Sequence, residues 1–234
     1  MRHAAIALAQ LLALAALPCA AEPPPASGPL VHPDGPGAFD WRLGAGVIVD
    51  VLPERVVDSA TRQYPRAALQ LRYGLPRGFS ADLKLNAVVV ANEAQAGAAW
   101  SFAAGPVRVA ILGHAAIWYG YVGATGFDTS GWGVTTYPGL AVGASAGGSR
   151  FTLAGELIAV HHQHVTFGTA GVDRGRTYLA GFLVTLTAET PVGRGLVYYG
   201  ASAIRADPDY QLWLAFSDNR YAQLYPRFFA GYAF

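Results

Sequence analysis

From Ser80 the chain alternates between two kinds of residue. One parity reads Ser80, Asp82, Lys84 and Asn86; the other reads Ala81, Leu83, Leu85, Ala87 and Val89. Upstream, Arg66, Gln70 and Arg72 interleave with Ala67, Leu69, Leu71 and Tyr73. Downstream, Arg150, Thr152, Glu156, His162 and His164 interleave with Phe151, Leu153, Leu157 and Ala159. A period of two belongs to β-strands, whose successive side chains point to opposite faces. No long stretch keeps a helical period. Beyond the N-terminal region, no apolar run reaches the length of a membrane-spanning helix. The spacing predicts ten strands, near 38–51, 63–75, 79–91, 95–104, 107–122, 134–147, 149–164, 175–190, 195–206 and 220–234. Pro65, Pro138 and Pro226 interrupt this pattern and predict bulges or strand ends, since proline donates no ladder hydrogen bond. Counts of eight or twelve strands stay open.

Each strand has an apolar face and a polar face. In a soluble sandwich the apolar face points inward; in a membrane barrel it points outward to lipid, and the polar face lines the lumen. Strand length favours the barrel. These segments run about 10 to 15 residues, against about 5 to 6 in soluble sheets and about 9 to 11 for a tilted strand crossing a bilayer. The connections are asymmetric too. Leu75–Gly78, Ala104–Pro106, Gly147–Ser149 and Thr190–Gly195 are tight, while the alternate connections 52–62, 123–133, 165–174 and 207–219 are long and only Asn92–Ala94 among them is short. Short turns at one end and long loops at the other match the periplasmic and extracellular ends of an outer-membrane barrel. Phe39, Trp41, Tyr73, Phe79, Trp100, Phe102, Phe151, Tyr198, Tyr232 and Phe234 gather at the short-turn end, as an interfacial aromatic girdle requires. A soluble lipid-binding barrel would leave those apolar faces in water.

Composition agrees. Of 234 residues, 53% are hydrophobic and only 13% charged, so the chain is not disordered and not an ordinary soluble enzyme. Sixteen basic and 15 acidic residues leave a net charge of +1, which gives no basic surface for nucleic acid. The first segment is an address. Met1-Arg2-His3, an uncharged stretch from Ala4 to Leu17, Pro18 and then Cys19-Ala20-Ala21 make a secretory signal peptide over 1–21. Lipidation at Cys19 is the alternative. Cleavage after Ala21 leaves a mature chain without cysteine, hence without disulfides or thiolate metal sites. Residues 22–37, rich in Pro and Gly, read as a loose periplasmic lead-in, and 38–234 as the barrel.

The chain ends Pro226-Arg227-Phe228-Phe229-Ala230-Gly231-Tyr232-Ala233-Phe234. A terminal Phe with Tyr232, Ala230 and Phe228 on alternate positions resembles the last strand of bacterial outer-membrane β-barrel proteins. The resemblance covers roughly 38–234. It implies an all-β, closed, antiparallel up-and-down transmembrane barrel in the outer membrane of a Gram-negative cell. It also implies contact with outer-membrane lipid and lipopolysaccharide, and recognition of Phe228, Tyr232 and Phe234 by the barrel-assembly machinery.

By parity the lumen carries Arg42, Arg66, Arg72, Lys84, Arg108, Arg150, Arg205 and Arg227 against Asp40, Asp50, Asp82, Glu156 and Glu189, with His114 also inward. These charges either pair across a packed interior or line a narrow, porin-like pore with a preference for anions. Glu156 falls near mid-membrane and needs a partner there, with Arg227 and His114 at similar height. His161-His162-Gln163-His164 is the densest chemical cluster. A His-x-His pair supplies two zinc ligands, but no third is fixed, so no metal and no cofactor is assigned. Some outer-membrane barrels are proteases or lipid A hydrolases, and a rim site could use His162, His164 and Asp173. The function read from sequence is therefore a small pore or structural membrane protein, with a rim enzyme as the alternative.

Overall fold

In the computed structural model the described residues are 28–52, 63–87, 91–124, 127–168, 170–206 and 222–234. The expected signal peptide, 1–21, lies outside them. Among them are eleven strands: β1 (Trp41–Val51), β2 (Gln63–Gly74), β3 (Phe79–Ala87), β4 (Ala91–Ala104), β5 (Val107–Ala124), β6 (Phe127–Ala146), β7 (Ser149–Phe167), β8 (Ala170–Arg174), β9 (Tyr178–Val192), β10 (Gly195–Ala206) and β11 (Gln223–Ala233). Every neighbouring pair is antiparallel. β1 pairs with both β2 and β11, and β6 pairs with β7, so the sheet closes on itself. Ten strands form the ring, and β8 pairs with β7 alone. The fold is a closed antiparallel barrel.

Tight turns gather at one end, called the lower end here. Gly147 and Gly148 both take positive φ, which a two-residue hairpin of type I′ demands. The outer surface is apolar along its length. Leu69, Leu83, Leu85, Ile111, Leu140, Leu153, Leu186 and Phe228 all point out and are exposed. Near the lower end Phe79, Trp100 and Phe102 stack in a row, with centroids 6.1 and 5.2 Å apart, and Trp41 and Phe151 are also exposed there.

The structure corrects three parts of the sequence reading. First, much of the long loops at 123–133 and 165–174 is strand. β5, β6 and β7 run on together to Ala124–Phe127 and Thr129–Phe167 pairings, and β8 continues that hairpin. Glycines and small polar residues between Gly120 and Gly133 blur the hydrophobic period there while the hydrogen-bond ladder persists. Second, β10 has the opposite parity. Tyr198 and Ile204 are buried while Tyr199 is exposed, and Arg205 is exposed on the outer face rather than lining the lumen. The sequence is ambiguous there because Tyr198-Tyr199 offers an aromatic ring to each side. Pairing decides it, since Tyr198 lies opposite Glu189 and Ser202 opposite both Thr185 and Arg227. Third, the register between β6 and β7 shifts where Val134 faces His162 and Thr135 faces Val160. The extra residue, His161, reverses parity beyond it, so His162 and His164 share the outer face with Val134 and Trp132, while Gln163 turns inward and is buried. Of the three prolines, Pro138 stands where the β6–β7 pairing skips from Thr136–Ala159 to Gly139–Glu156; Pro65 and Pro226 lie within paired stretches.

Candidate functional site

The lumen is arranged in three layers. At the lower mouth lies a segment that composition gave as a loose lead-in. Residues 28–37 instead cross the barrel floor: Leu30 and His32 are fully buried, and Leu30 packs with Leu196, Tyr198 and Ala233. The segment is held through its backbone. Glu189 accepts the N–H groups of Leu30 and Val31 on Oε1, at 2.8 and 3.0 Å, and that of His32 on Oε2, at 2.7 Å. Arg72 Nη1 donates to the carbonyls of Leu30, Val31 and His32, at 3.2, 3.1 and 3.1 Å. Arg42 Nε donates to the Gly28 carbonyl at 2.7 Å, and Arg108 forms an ion pair with Asp34. Charged partners for the N–H and C=O groups of Leu30, Val31 and His32 are what allow this stretch of backbone to be buried. Two wall glycines make the space. A methyl group on Gly143 would run into His32 and Pro33, and one on Gly44 would run into Leu30.

His32 sits on this segment, outside the membrane-spanning strands. Its Nδ1 accepts the Asp34 N–H at 3.2 Å, and its Nε2 is buried without a hydrogen-bond partner. Burial holds its pKa below the ordinary 6.5. The Asp34 carboxylate opposes that shift, and Arg150, Arg72 and Arg108 add to it.

The middle layer is a chain of charges. Arg72 Nε meets Asp82 at 3.4 Å and Ser80 at 3.1 Å. His114 lies between two carboxylates, with Nε2 3.8 Å from Asp82 and Nδ1 3.2 Å from Glu156. Across the lumen Asp50 is flanked by Arg66, at 2.7 Å, and Arg227. Glu156 therefore faces inward. Pairing keeps so many charges tolerable in a narrow interior. Lys84 lines the same space, a cavity of about 200 Å³ running from Val31 and Pro33 on the floor to Asn86 and Glu93 on the β3–β4 hairpin.

The upper layer is apolar. Tyr137, Ile158, Val160, Leu183, Ile204 and Tyr225 pack together on the β6, β7, β9, β10 and β11 side. These inward apolar residues sit on the polar parity of their strands, so alternation alone could not single them out.

The rim candidates do not converge on the lumen. His162 stacks on Trp132 at 4.5 Å between centroids, on the outer face. His161 bridges Thr136, at 2.8 Å, and Thr177, at 3.2 Å. Asp173 lies opposite His164 in register, but its side chain is outside the described residues. No group of three His, Cys, Asp or Glu side chains among the described residues is placed to hold a metal ion. At the C-terminus Phe228 and Phe234 are exposed on the outer face, with Phe234 edge-on to Tyr232 at 5.1 Å.

Fold and site together define a closed β-barrel with an apolar exterior and a charged, plugged interior. No family model matches the chain, and no curated protein matches it. Among solved structures it is similar to the translocator domain of autotransporter NalP from Neisseria meningitidis. The identity is 12%, the match covers 99% of this chain and 95% of that one, and the TM-score is 0.39. The barrel assignment rests on the closed pairing of this chain's own strands.

Proposed function

We propose that the chain is an integral outer-membrane β-barrel of a Gram-negative bacterium and serves as a small pore, held shut in the state described above. One observation carries this reading: a charged lumen enclosing a cavity lies inside an apolar outer wall with an aromatic lower girdle. In water those outer Leu, Ile, Phe and Trp side chains would form an apolar belt far larger than a soluble monomer tolerates. Outer-membrane lipid and lipopolysaccharide cover the wall, and the barrel-assembly machinery reads the final strand.

The rim-enzyme alternative gains nothing from the geometry. His162 and His164 lie on the outer face of β7, His162 with its ring against Trp132, rather than around the lumen. Expression in a Gram-negative host tests the reading. The chain should fractionate with outer membranes and run faster on gels unheated than boiled, as folded barrels do. Recovery in the periplasmic soluble fraction would overturn it.

A further inference from the structure

The floor segment is attached to the wall by charge rather than by strand pairing. The cavity ends on it: Val31 and Pro33 form its lower limit. Beyond Leu30 and its few apolar neighbours, what holds the segment is Glu189, Arg72, Arg42 and Arg108. None of its backbone groups joins the barrel ladder. Lifting it out would break no strand–strand pair.

The wall groups it would leave behind are unequal in sign. Arg42, Arg72 and Arg108 would lose partners supplied by the segment, and Arg108 would lose Asp34, which leaves with it. Arg150 stands beside them, directly opposite Glu189 in the β7–β9 register. Against these four cations the vacated mouth keeps two carboxylates: Glu189, which would lose three N–H donors, and Asp40, beside Arg42 and Gly37. Asp82 stays engaged with Arg72 and His114 deeper in the lumen. A narrow opening lined by guanidinium groups concentrates anions and repels cations.

We propose that residues 28–37 are a displaceable plug, and that its release opens the lumen to small anionic solutes through a mouth lined by Arg42, Arg72, Arg108 and Arg150. The proposal rests on the membrane-barrel reading above, and the two fail in different experiments.

Planar-bilayer recording of the full chain, purified from outer membranes, tests it. The wild type should open rarely. Glu189→Gln keeps the shape of the side chain but removes the charge that grips three N–H groups, and should raise open probability at least tenfold. In a KCl gradient its reversal potential should show chloride preferred over potassium. Leu30→Cys with Gly44→Cys joins the plug to β1, where these two positions meet. Added to Glu189→Gln, that pair should keep the barrel shut when oxidised and let it open when reduced. A second measurement leaves the clamp intact: a protease site inserted at exposed Ala38 is cut after assembly. Cutting should raise conductance in the same direction and with the same anion preference. If neither change raises conductance in a barrel that still shows heat-modifiable folding, or if the open state prefers potassium, the plug proposal is overturned. Loss of outer-membrane recovery for the unaltered chain would overturn the membrane reading instead.

Discussion

Glu189 and Arg72 grip the same three residues: the carboxylate takes the N–H groups of Leu30, Val31 and His32, and the guanidinium takes their carbonyls. Neither contact reads a side chain. The pair holds a short length of backbone as a neighbouring strand would, but from two side chains on β9 and β2. A hydrogen bond to a charged group contributes about 1.5 to 3 kcal/mol, roughly twice that of a neutral one. The association therefore responds to charge and pH more than a strand pair does.

Acid should loosen this association through His32. Its folded pKa lies below 6.5, so the folded form resists protonation that the free segment accepts. Above that value His32 makes no pH-dependent contribution. As pH falls below it, the released state binds more protons and docking weakens until the folded pKa is passed. Limited proteolysis near Ala38 should accelerate as pH falls below 6.5 in wild type. His32→Asn should flatten that dependence. An unchanged slope in the variant would remove His32 as its source.

Glu156 anchors the middle layer through His114. Glu156→Ala leaves His114 with Asp82 alone, at 3.8 Å. Breaking one side of a buried pair costs about 3 kcal/mol where the partner cannot adjust, and less where it can. The temperature at which the folded gel band is lost should fall, and Glu156→Gln should recover most of the loss. Equal stability of wild type and Glu156→Ala would mean that water already solvates this layer.

The parity of β10 can be checked with two single substitutions. Tyr198 is buried against Gly44, Gly46 and Gly231, where an added methyl would strike its ring or hydroxyl. Tyr198→Ala opens a large gap in the lower lumen and should lower stability by about 3 kcal/mol. Tyr199→Ala, on the exposed face, should change it by less than about 1 kcal/mol. Thermal gel-shift series on both variants would show the reverse order if Tyr199 pointed inward.

The expected orientation rests on the two longest connections, β1–β2 and β10–β11, which lie at the end opposite the 75–78, 105–106, 147–148 and 193–194 turns. With Cys19 lost with the signal sequence, the expected mature chain has no cysteine. Single cysteines at Asp128 and Arg176 should react with an impermeant thiol reagent on whole cells. Cysteines at Arg77 and Arg194, in the tight turns, should react only after the outer membrane is opened. The opposite pattern would invert the barrel.

Removing Phe234 should reduce the yield of folded barrel. The residue caps the outer face of β11, and its N–H donates to the Leu43 carbonyl on β1 at 2.8 Å. Undiminished folding of the truncated chain, measured as the fraction of heat-modifiable protein in the outer membrane, would mean that assembly reads another feature.

The alternation around Arg66–Val89 and Arg150–Ala159 determined by itself that the chain is all-β, that its strands have one apolar face, and where the tight turns fall. Those are local properties: a period of two and a turn glycine are written in consecutive residues. The inward position of Asp82 and Glu156 could be read from the same alternation. Three features waited for the tertiary structure, each because a distant partner decides it. The parity of β10 depends on Glu189 and Arg227 across the ladder, since its own residues offer apolar side chains to both faces. The outward turn of His162 and His164 depends on one bulged residue that β6 imposes on β7. The plug depends on Glu189, more than 150 positions from Leu30 in sequence, and on glycines that leave room in the opposite wall. A Pro- and Gly-rich segment with no period of its own gives no local sign of that destination, because its position is set mainly by wall charges distant in sequence.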